Sequence, residues 1–563
     1  MSTSRPDSGA GPDSPGPDLE NTGPKNADQE TTAQGPQEGA EEGRMTRRRR
    51  ADGKRHGFFQ RFLDVIEFLG NKLPHPVTLF GLLAVLVMVL SWVFSQMGLS
   101  VEDPLEGEEV EVFNLLSAEG VQWMFESAVD NFVGFAPLGV VLATMIGIGM
   151  AESTGLIGTA LRSFILSIPR TLVTFAIVFA GIMSSVASDA GYVVLPPLAA
   201  ILFVALGRHP LAGIAAAFAG VSAGFSANLL LSGTDVMLGE LTIEAATTID
   251  PEYADQMNLA MNYWFIIAST FVLAIAGTLV SQFVVEPRLG AWSGEGVLKG
   301  EDQEQLKITP VERKGLIWAG ASLVATTVLL LLLIIPPNAP LRGEDGAIIQ
   351  SPFMSSLAIV MVIIFFIPGL VYGIVTNVVK NDTDVVEHVS KYLAGMAMFL
   401  VLAFTAGQFI AYFEQTNLGL IVSVLGADWL ESINLTGIPL VLVFMLFVGV
   451  VNLFIGSASA KWAMLAPIMV PIMMQLGISP EFTQAAYRVS DSATNILSPL
   501  MTYFAIVIVV AQRYDKRAGI GSLVSVMLPY SLAFWAVWTV MTVAWMGLDL
   551  PLGPDAPIYY EAP

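Results

Sequence analysis

Long apolar runs alternate with short polar connections along the chain, and this pattern predicts an all-α polytopic membrane protein. A helix needs about 20 predominantly apolar residues to cross the hydrocarbon core of a bilayer. Nine runs of sufficient length are found at residues 76–98, 131–152, 209–232, 258–286, 313–337, 354–378, 391–413, 482–511 and 520–546. We therefore expect nine transmembrane helices, and polar residues break the helices at 209–232 and 482–511.

Two further apolar regions, 171–206 and 437–476, are too long to be single spans. Each is interrupted near its centre by small and charged residues, SVASDAGYVVLPP around Asp189 and SASAKWAMLAP around Ser459. Irregular backbone at membrane depth is tolerated only where protein or water surrounds it. We expect both regions to form re-entrant helical hairpins.

The interruptions belong to a duplicated pattern. The spacing from serine to proline is eight residues both in 188–196 and in 459–467, and ESTGL at 152–156 resembles EQTNL at 414–418. Each hairpin is followed by a broken span, and duplicated units with broken helices are typical of secondary transporters. The count of crossings predicts two repeats of inverted orientation.

The predicted domain boundaries follow from this repeat. The first repeat covers 75–286, a linker and connecting helix cover 287–337, and the second repeat covers 338–546. Residues 547–563 then form an extracytoplasmic tail.

The composition of the N-terminal region predicts a cytoplasmic segment without a packed core. Residues 1–55 are rich in Gly, Pro, Ser, Asp and Glu, a composition typical of disorder, and 56–74 reads as an amphipathic interfacial segment. The predicted outer connections without Lys or Arg are 99–130, 233–257 and 414–436. The positive-inside rule then places the N-terminus in the cytoplasm. We expect the protein in the cytoplasmic (inner) membrane.

Composition excludes several classes of protein. The chain is 54% hydrophobic and 13% charged, with a mean hydropathy of +0.64, which is far too apolar for a soluble globular protein of 563 residues. It has no cysteine, and its four histidines lack ligand spacing, so we expect no metal site and no cofactor. A net charge of −22 disfavours nucleic-acid binding, and the absence of a GxxxxGK[ST] loop disfavours ATP-driven transport. With no activated Ser/His/Asp set either, an enzyme is disfavoured.

Four ionisable residues lie inside the predicted membrane region, namely Asp189, Lys461, Arg488 and Asp491. A charge at the centre of a spanning helix costs on the order of 3 kcal/mol on insertion scales, so each must face protein or water. Asp189 and Asp491 lie at breaks of opposite repeats, where a carboxylate can take up a proton or a cation. We expect these two residues to couple transport to an ion gradient.

Each of these residues also has a purely structural interpretation. Asp189 can cap a hairpin helix, and Lys461 can extend its ammonium group to the membrane interface. Arg488 and Asp491, three residues apart, can neutralise each other on one helix face. Trp462 can be an interface anchor instead of a stacking surface.

Substrate recognition is predicted at the same breaks. The expected substrate-binding residues are Ser459, Trp462, Arg488, Asn228 and Asn495, with Trp462 as an apolar stacking face and Arg488 as a partner for a carboxylate. A sodium ion, if it is the coupling ion, is expected at Ser188, Asn228, Ser459 and Asn495. Helix breaks or hinges are predicted at Gly191, Gly456, Pro480 and Pro499.

The segments around Asp189, at 459–462 and at 487–499, together with NKLPHPVTLFG at 71–81, resemble the AbgT family of aminobenzoyl-glutamate transporters and antimetabolite exporters. The resemblance implies a homodimer whose subunits have nine helices and two hairpins. It implies an inner core of helices 1, 2, 5, 6 and 7, an outer transport core of the hairpins with helices 3, 4, 8 and 9, and an aqueous bowl open to the cytoplasm. The functional positions that it carries over are Asp189, Ser459, Trp462, Pro480, Arg488, Asp491 and Pro499.

The predicted function is secondary active transport of a small aromatic anion, coupled to a proton or sodium gradient. By resemblance, the anion is p-aminobenzoyl-glutamate or a sulfonamide-type antimetabolite. The alternatives are a channel-like facilitator, for which two equivalent gates are unnecessary, and a carrier for another small carboxylate.

Overall fold

In a computed structural model of the chain, the described residues are 74–103, 105, 107–187, 190–292, 307–343, 346–348, 350–498, 501 and 503–562. The predicted disordered tail at 1–55 lies outside them, as does nearly all of the predicted interfacial segment at 56–74. Within the described part, the regular structure is helical apart from one small antiparallel sheet of β1 (Ser100–Glu102) and β2 (Glu109–Glu111).

The first half of the chain contains eleven α-helices among the described residues. They are α1 (Pro76–Met97), α2 (Ala118–Val133), α3 (Pro137–Ser153), α4 (Leu156–Ser167), α5 (Val173–Met183), α6 (Ala190–Ala205), α7 (Pro210–Phe218), α8 (Gly233–Ala246), α9 (Pro251–Gln256), α10 (Tyr263–Val280) and α11 (Glu286–Leu289). Single π-helical segments, Ala219–Ala223 and Ser281–Val285, extend α7 and α10. Short 3₁₀ turns, Arg170–Leu172 and Ser184–Ala187, flank α5.

The second half contains eleven more in the part of the chain that the structure describes. They are α12 (Pro310–Leu332), α13 (Pro352–Ser355), α14 (Leu357–Val375), α15 (Asp382–Ala394), α16 (Ala397–Gln415), α17 (Leu418–Ser432), α18 (Gly437–Asn452), α19 (Ala458–Gln475), α20 (Pro480–Asn495), α21 (Phe504–Gln512) and α22 (Ile520–Gly547).

The helices confirm a polytopic all-α membrane protein. Seven described helical segments are long and apolar enough to cross a bilayer, and two sharply bent helix pairs raise that number to as many as nine. The predicted broken span at 209–232 contains α7 with its π-helical extension, and the one at 482–511 contains most of α20 and all but the last residue of α21. The exact number of crossings stays a prediction.

The two halves share local features that agree with a duplicated unit. The pair formed by α4 and the segment that contains α5 is bent by 119°, and the pair of α17 and α18 is bent by 118°. Before each pair the chain turns through a left-handed residue, Gly155 with φ 86° and Asn417 with φ 58°. The threonines that precede them, Thr154 and Thr416, both donate to the carbonyl oxygen four residues earlier. The inverted orientation of the repeats stays a prediction.

Each predicted hairpin region contains two helices that are separated by a break. Region 171–206 holds α5 and α6, whose break includes the undescribed residues 188 and 189. Region 437–476 holds α18 and α19, with a break at 453–457. That the two regions re-enter the membrane from one side stays a prediction.

Three predicted outer connections contain helices. Region 99–130 contains most of α2, 233–257 contains α8 and α9, and 414–436 contains α17. Hydropathy does not reveal α8, because its sequence, GTDVMLGELTIEAA, carries three carboxylates and lacks the apolar run of a spanning helix. A capping box of Ser232 and Asp235 begins α8, and most of the helix is buried.

Helix packing separates two groups of elements. In one group α14 packs against α3 and α12, and α16 packs against α1 and α2. In the other group α10 packs against α22, and α20 is surrounded by α18, α19 and α22. Helix α8 contacts both groups through α3 and α19. The assignment of these groups to the scaffold and transport cores that the resemblance implies stays a prediction.

The C-terminal residues form a strap over the ends of several helices. The carbonyl oxygen of Leu552 accepts from the Phe265 backbone at 3.1 Å, and that of Ile558 accepts from the Ser479 backbone at 3.0 Å. The Tyr560 hydroxyl donates to Asp250 at 2.9 Å. Leu552 and Ile558 are fully buried, so these residues tie α10 and α20 together.

We expect Ile558→Ala to destabilise the protein by about 2–5 kcal/mol, because it removes a fully buried aliphatic side chain and leaves a cavity. The measurement is thermal unfolding of detergent-purified protein, with the exposed Glu561→Ala as a control. If both variants unfold at the wild-type temperature, the strap is only loosely attached.

Candidate functional site

Two buried ion pairs lie side by side on α20. The Lys461 ammonium group of α19 is 2.5 Å from the Asp491 carboxylate, and these side chains are 0% and 1% exposed. The Arg488 guanidinium pairs with the Asp235 carboxylate of α8, and these side chains are 5% and 3% exposed. The site therefore holds two positive and two negative charges away from solvent.

The sequence of α20 explains this position. Glu481, Gln484, Arg488 and Asp491 are separated by three, four and three residues, which places them along one face of the helix. Nearly every side chain of this polar helix is buried, so neighbouring elements must supply partners for its charges. Ser479 caps the helix by accepting from the Phe482 backbone at 3.1 Å.

Asp235 has a double role at the start of α8. One carboxylate oxygen accepts from the backbone and hydroxyl of Ser232, at 2.6 and 2.7 Å, and the other pairs with Arg488. The capping box fixes the orientation of the carboxylate, which in turn holds the guanidinium group. The position of Arg488 therefore depends on the position of α8.

A hydrogen-bond network around Thr242 continues the site along α8. The Thr242 hydroxyl oxygen accepts from the indole nitrogen of Trp462 at 2.9 Å and from the side-chain amide of Gln484 at 2.7 Å. The amide of Asn262 donates to Gln484 at 2.6 Å. The rings of Trp462 and Tyr487 have centroids 4.5 Å apart. Polar contacts thus link α8 to α19, to α20 and to the residue that precedes α10.

Asn452, the last residue of α18, links both arms of the second hairpin region to α20. Its side-chain oxygen accepts from the Lys461 ammonium group, and its nitrogen donates to Thr494 at 2.8 Å and to Asn495 at 3.0 Å. The Tyr487 hydroxyl donates to the carbonyl oxygen of Ala458 at 2.6 Å. Movement of this hairpin region relative to α20 therefore requires that these contacts change.

Several buried polar atoms at the ion pairs have no hydrogen-bond partner among the described residues. They include Nε of Arg488, Oδ2 of Asp491 and Oγ of Ser492. A buried polar atom without a partner is unfavourable by about 1–3 kcal/mol. The two ion pairs therefore have a donor, Nε of Arg488, and an acceptor, Oδ2 of Asp491, that a small ligand or an ion can use.

The structure joins most of the predicted residues of the second repeat. Trp462, Asp491 and Asn495 are linked through Tyr487, Lys461 and Asn452. Arg488 pairs separately with Asp235, and Ser459 contacts Ser457 at 3.3 Å in the first turn of α19. In the first repeat, Asn228 donates to Ser185 at 3.0 Å. In both halves, an asparagine thus links a hairpin region to the broken span that follows it.

Other predicted residues take separate positions. Asp189, Ser188 and Pro499 lie outside the described residues, so the ion-coupling role of Asp189 and the complete sodium set stay predictions. Pro480 is the first residue of α20, and Gly456 lies between α18 and α19. Gly191 lies in the first turn of α6, where a Cβ atom would collide with Ser184.

Three of the structural alternatives, which concern four residues, are wrong. Lys461 does not extend to the membrane interface, since it is fully buried against Asp491. Trp462 is not an interface anchor, since it is fully buried and bonded to Thr242. Arg488 and Asp491 do not neutralise each other, because each pairs with a residue of another helix.

The sequence patterns did not reveal several members of the site, among them Asp235, Thr242, Gln484 and Asn452. One signal for Asp235 is present in the sequence, because SGTD at 232–235 is a capping pattern next to an apolar run. Gln484 lies on the same helix face as Arg488. Thr242 and Asn452 carry no comparable signal.

Comparison with known proteins identifies the family. Residues 61–560 match the AbgT putative transporter family. The chain belongs to the AbgT family. It is 37% identical over 490 residues to the p-aminobenzoyl-glutamate transport protein of Escherichia coli (strain K12), an alignment that covers 87% of this chain and 95% of that protein.

Two solved structures of AbgT transporters share the fold. The YdaH transporter of Alcanivorax borkumensis is 42% identical with a TM-score of 0.81, covering 85% of this chain and 100% of that chain. MtrF of Neisseria gonorrhoeae, described as illuminating a class of antimetabolite efflux pumps, is 44% identical with a TM-score of 0.83, covering 88% of this chain and 100% of that chain. This AbgT protein is therefore a multi-pass membrane transporter and not an enzyme.

Proposed function

We propose that this AbgT protein is a secondary active transporter that moves a small aromatic anion, p-aminobenzoyl-glutamate or a sulfonamide-type antimetabolite, in exchange or together with protons or sodium ions. The E. coli relative is named for p-aminobenzoyl-glutamate, and the N. gonorrhoeae relative is described among antimetabolite efflux pumps. p-Aminobenzoyl-glutamate and the sulfonamides both contain an aromatic ring, which gives a common substrate class.

The observation that carries this proposal is the buried Arg488 guanidinium, which follows Tyr487 on α20, and the ring of Tyr487 lies 4.5 Å from that of Trp462. Arg488 keeps Nε without a hydrogen-bond partner among the described residues, although Asp235 holds its other end. A guanidinium can grip a carboxylate or sulfonyl oxygen, and an indole can stack on an aromatic ring. Trp462 is fully buried here, so substrate entry requires movement of α19 relative to α8 or α20.

The ion pair of Lys461 and Asp491 supports coupling to a cation gradient. A proton or a sodium ion that binds the Asp491 carboxylate competes with the Lys461 ammonium group for the same negative charge. Such competition loosens the contact between α19 and α20, which are the elements that must move. Asp189 remains the proposed counterpart in the first repeat.

We further propose a homodimer in the cytoplasmic membrane with its N-terminus inside the cell. The exposed apolar side chains on α12, including Ile317, Trp318 and Val324, suit contact with lipid or with a second subunit. In this arrangement α12 and α14 belong to the static scaffold, and the elements around α20 move against it.

The test is flux of labelled p-aminobenzoyl-glutamate and of a labelled sulfonamide into proteoliposomes, under imposed proton and sodium gradients in turn. We expect saturable flux of at least one substrate, driven by one of the two gradients, because a carrier binds its substrate before each movement. Empty liposomes are the control. Flux that does not saturate and ignores both gradients would favour the channel-like facilitator.

A further inference from the structure

Two glutamates outside the ion-pair site face one small void between α8 and α16. Glu244 of α8 and Glu414 of α16 both line this mostly enclosed void, which has room for about a single water molecule. Its other walls are Leu241, Ala245, Thr248, Ile410, Phe413 and Pro467, none of which titrates. The walls of the void are almost entirely apolar, whereas Glu414 is itself exposed to solvent on its other side.

One oxygen atom of the Glu244 carboxyl group lacks a partner, although the group also bonds the backbone of Ala136. The Oε2 atom of Glu244 is inaccessible to solvent and has no hydrogen-bond partner among the described residues. Glu414 and Glu240, the latter on α8, are close enough to Glu244 to repel its charge. Two ionised carboxylates at a void with apolar walls repel each other, and one proton between them removes the repulsion.

Glu414 also connects the void to solvent. It lines a second, open cavity of about 430 Å³, together with Trp123, Asn131 and Gln415. Glu414 thus has access to both spaces, and a proton can pass from the open cavity to Glu414 and then, through one water, to Glu244. No covalent bond other than O–H forms or breaks in this transfer.

The position of Glu244 connects the void to the transport site. Helix α8 also carries Thr242, which bonds Trp462 and Gln484, and Asp235, which pairs with Arg488. A change of charge at Glu244 therefore acts on the helix that holds both predicted substrate contacts. Glu414 belongs to the EQTNL segment at 414–418, whose first-repeat counterpart is ESTGL at 152–156.

We propose that Glu244 and Glu414 form a carboxyl pair that shares one proton and is the loading site for protons from the face where the 430 Å³ cavity opens. The inference rests on the proposed function in one respect, since it takes the proton as the coupling ion. It assigns the uptake of that proton to residues outside the ion pairs of α20.

A direct test uses infrared difference spectra of reconstituted protein between mildly acidic and mildly alkaline buffers. We expect a carbonyl band of a buried protonated carboxyl group, which Glu244→Gln and Glu414→Gln each remove and which the double variant reduces no further. The exposed Glu431→Gln of α17 is the matched control and leaves that band unchanged. Since either single variant reports on the pair, failure of one to fold leaves the test intact.

A band that survives both substitutions would overturn the proposal, and so would two independent bands that disappear additively. Loss of the wild-type band on addition of sodium at constant pH would identify a sodium site and would also overturn it.

A transport measurement then distinguishes a proton-loading role of the pair from a purely structural role. Glu244→Gln should lose proton-driven accumulation of p-aminobenzoyl-glutamate and retain exchange of labelled for unlabelled substrate without a gradient. Equal loss of both activities, or retention of both, would contradict a proton-loading role. If the wild-type protein shows no gradient-driven flux, the proposed function is wrong. The infrared bands would still show whether Glu244 and Glu414 share a proton.

Discussion

Lys461→Met is expected to abolish transport and to lower the free energy of unfolding by about 3–5 kcal/mol, because it leaves the Asp491 carboxylate buried without its cation. It also removes the donor to Asn452, which joins α18 to α20. The measurements are thermal unfolding in detergent and substrate flux in proteoliposomes. The exposed Lys391→Met of α15 is the control for loss of a lysine.

The double variant Lys461→Met with Asp491→Asn separates folding from function. Removal of both charges leaves no unpaired ion at this pair, so much of the lost stability should return while gradient-driven transport stays absent. Wild-type flux in Lys461→Met would show that the ion pair is dispensable. Equal instability of the single and double variants would show that the lysine acts by packing alone.

Arg488→Lys is expected to weaken substrate binding by about 1.5–3 kcal/mol, or about tenfold or more, although the positive charge is kept. A lysine can retain the pairing with Asp235 but has no counterpart of the free Nε donor of Arg488. The measurement is equilibrium binding of labelled p-aminobenzoyl-glutamate to detergent-purified protein. The control is Arg313→Lys, an exposed position in the first turn of α12.

Stability distinguishes the two roles that Arg488 can have. If the residue serves only to neutralise Asp235, Arg488→Lys will bind substrate as the wild type does, and Asp235→Asn will impair folding alone. If it grips the substrate, Arg488→Lys will unfold close to the wild-type temperature and still lose affinity.

Hydropathy predicted the spanning helices best where the helix faces lipid or other apolar helices. The run at 76–98 became α1 (Pro76–Met97), and the run at 520–546 became α22 (Ile520–Gly547). Hydropathy did not reveal α8, because its carboxylates interrupt the apolar pattern. Helix α17 was assigned to an outer connection although its residues 418–427 carry no charge. A helix that is buried by protein does not need the continuous apolar surface that lipid requires.

The motifs of the second repeat singled out Trp462, Arg488 and Asp491, since charged and aromatic residues inside an apolar run stand out in the sequence. The structure buries all three side chains, and their roles in transport stay predictions. Their partners on α8 did not stand out. Asp235 and Thr242 come from a helix more than 200 residues earlier in the chain, and their spacing from Arg488 and Trp462 carries no periodic signal.

The sequence by itself determined the class of protein, the family resemblance and the side chains that cannot face lipid. Only the tertiary structure decided which charge neutralises which, because Arg488 and Asp491 on one helix face each found a closer partner on another helix. The physical reason is that local spacing fixes the face of a helix on which a side chain lies, whereas the pairing of buried charges depends on which helices pack together.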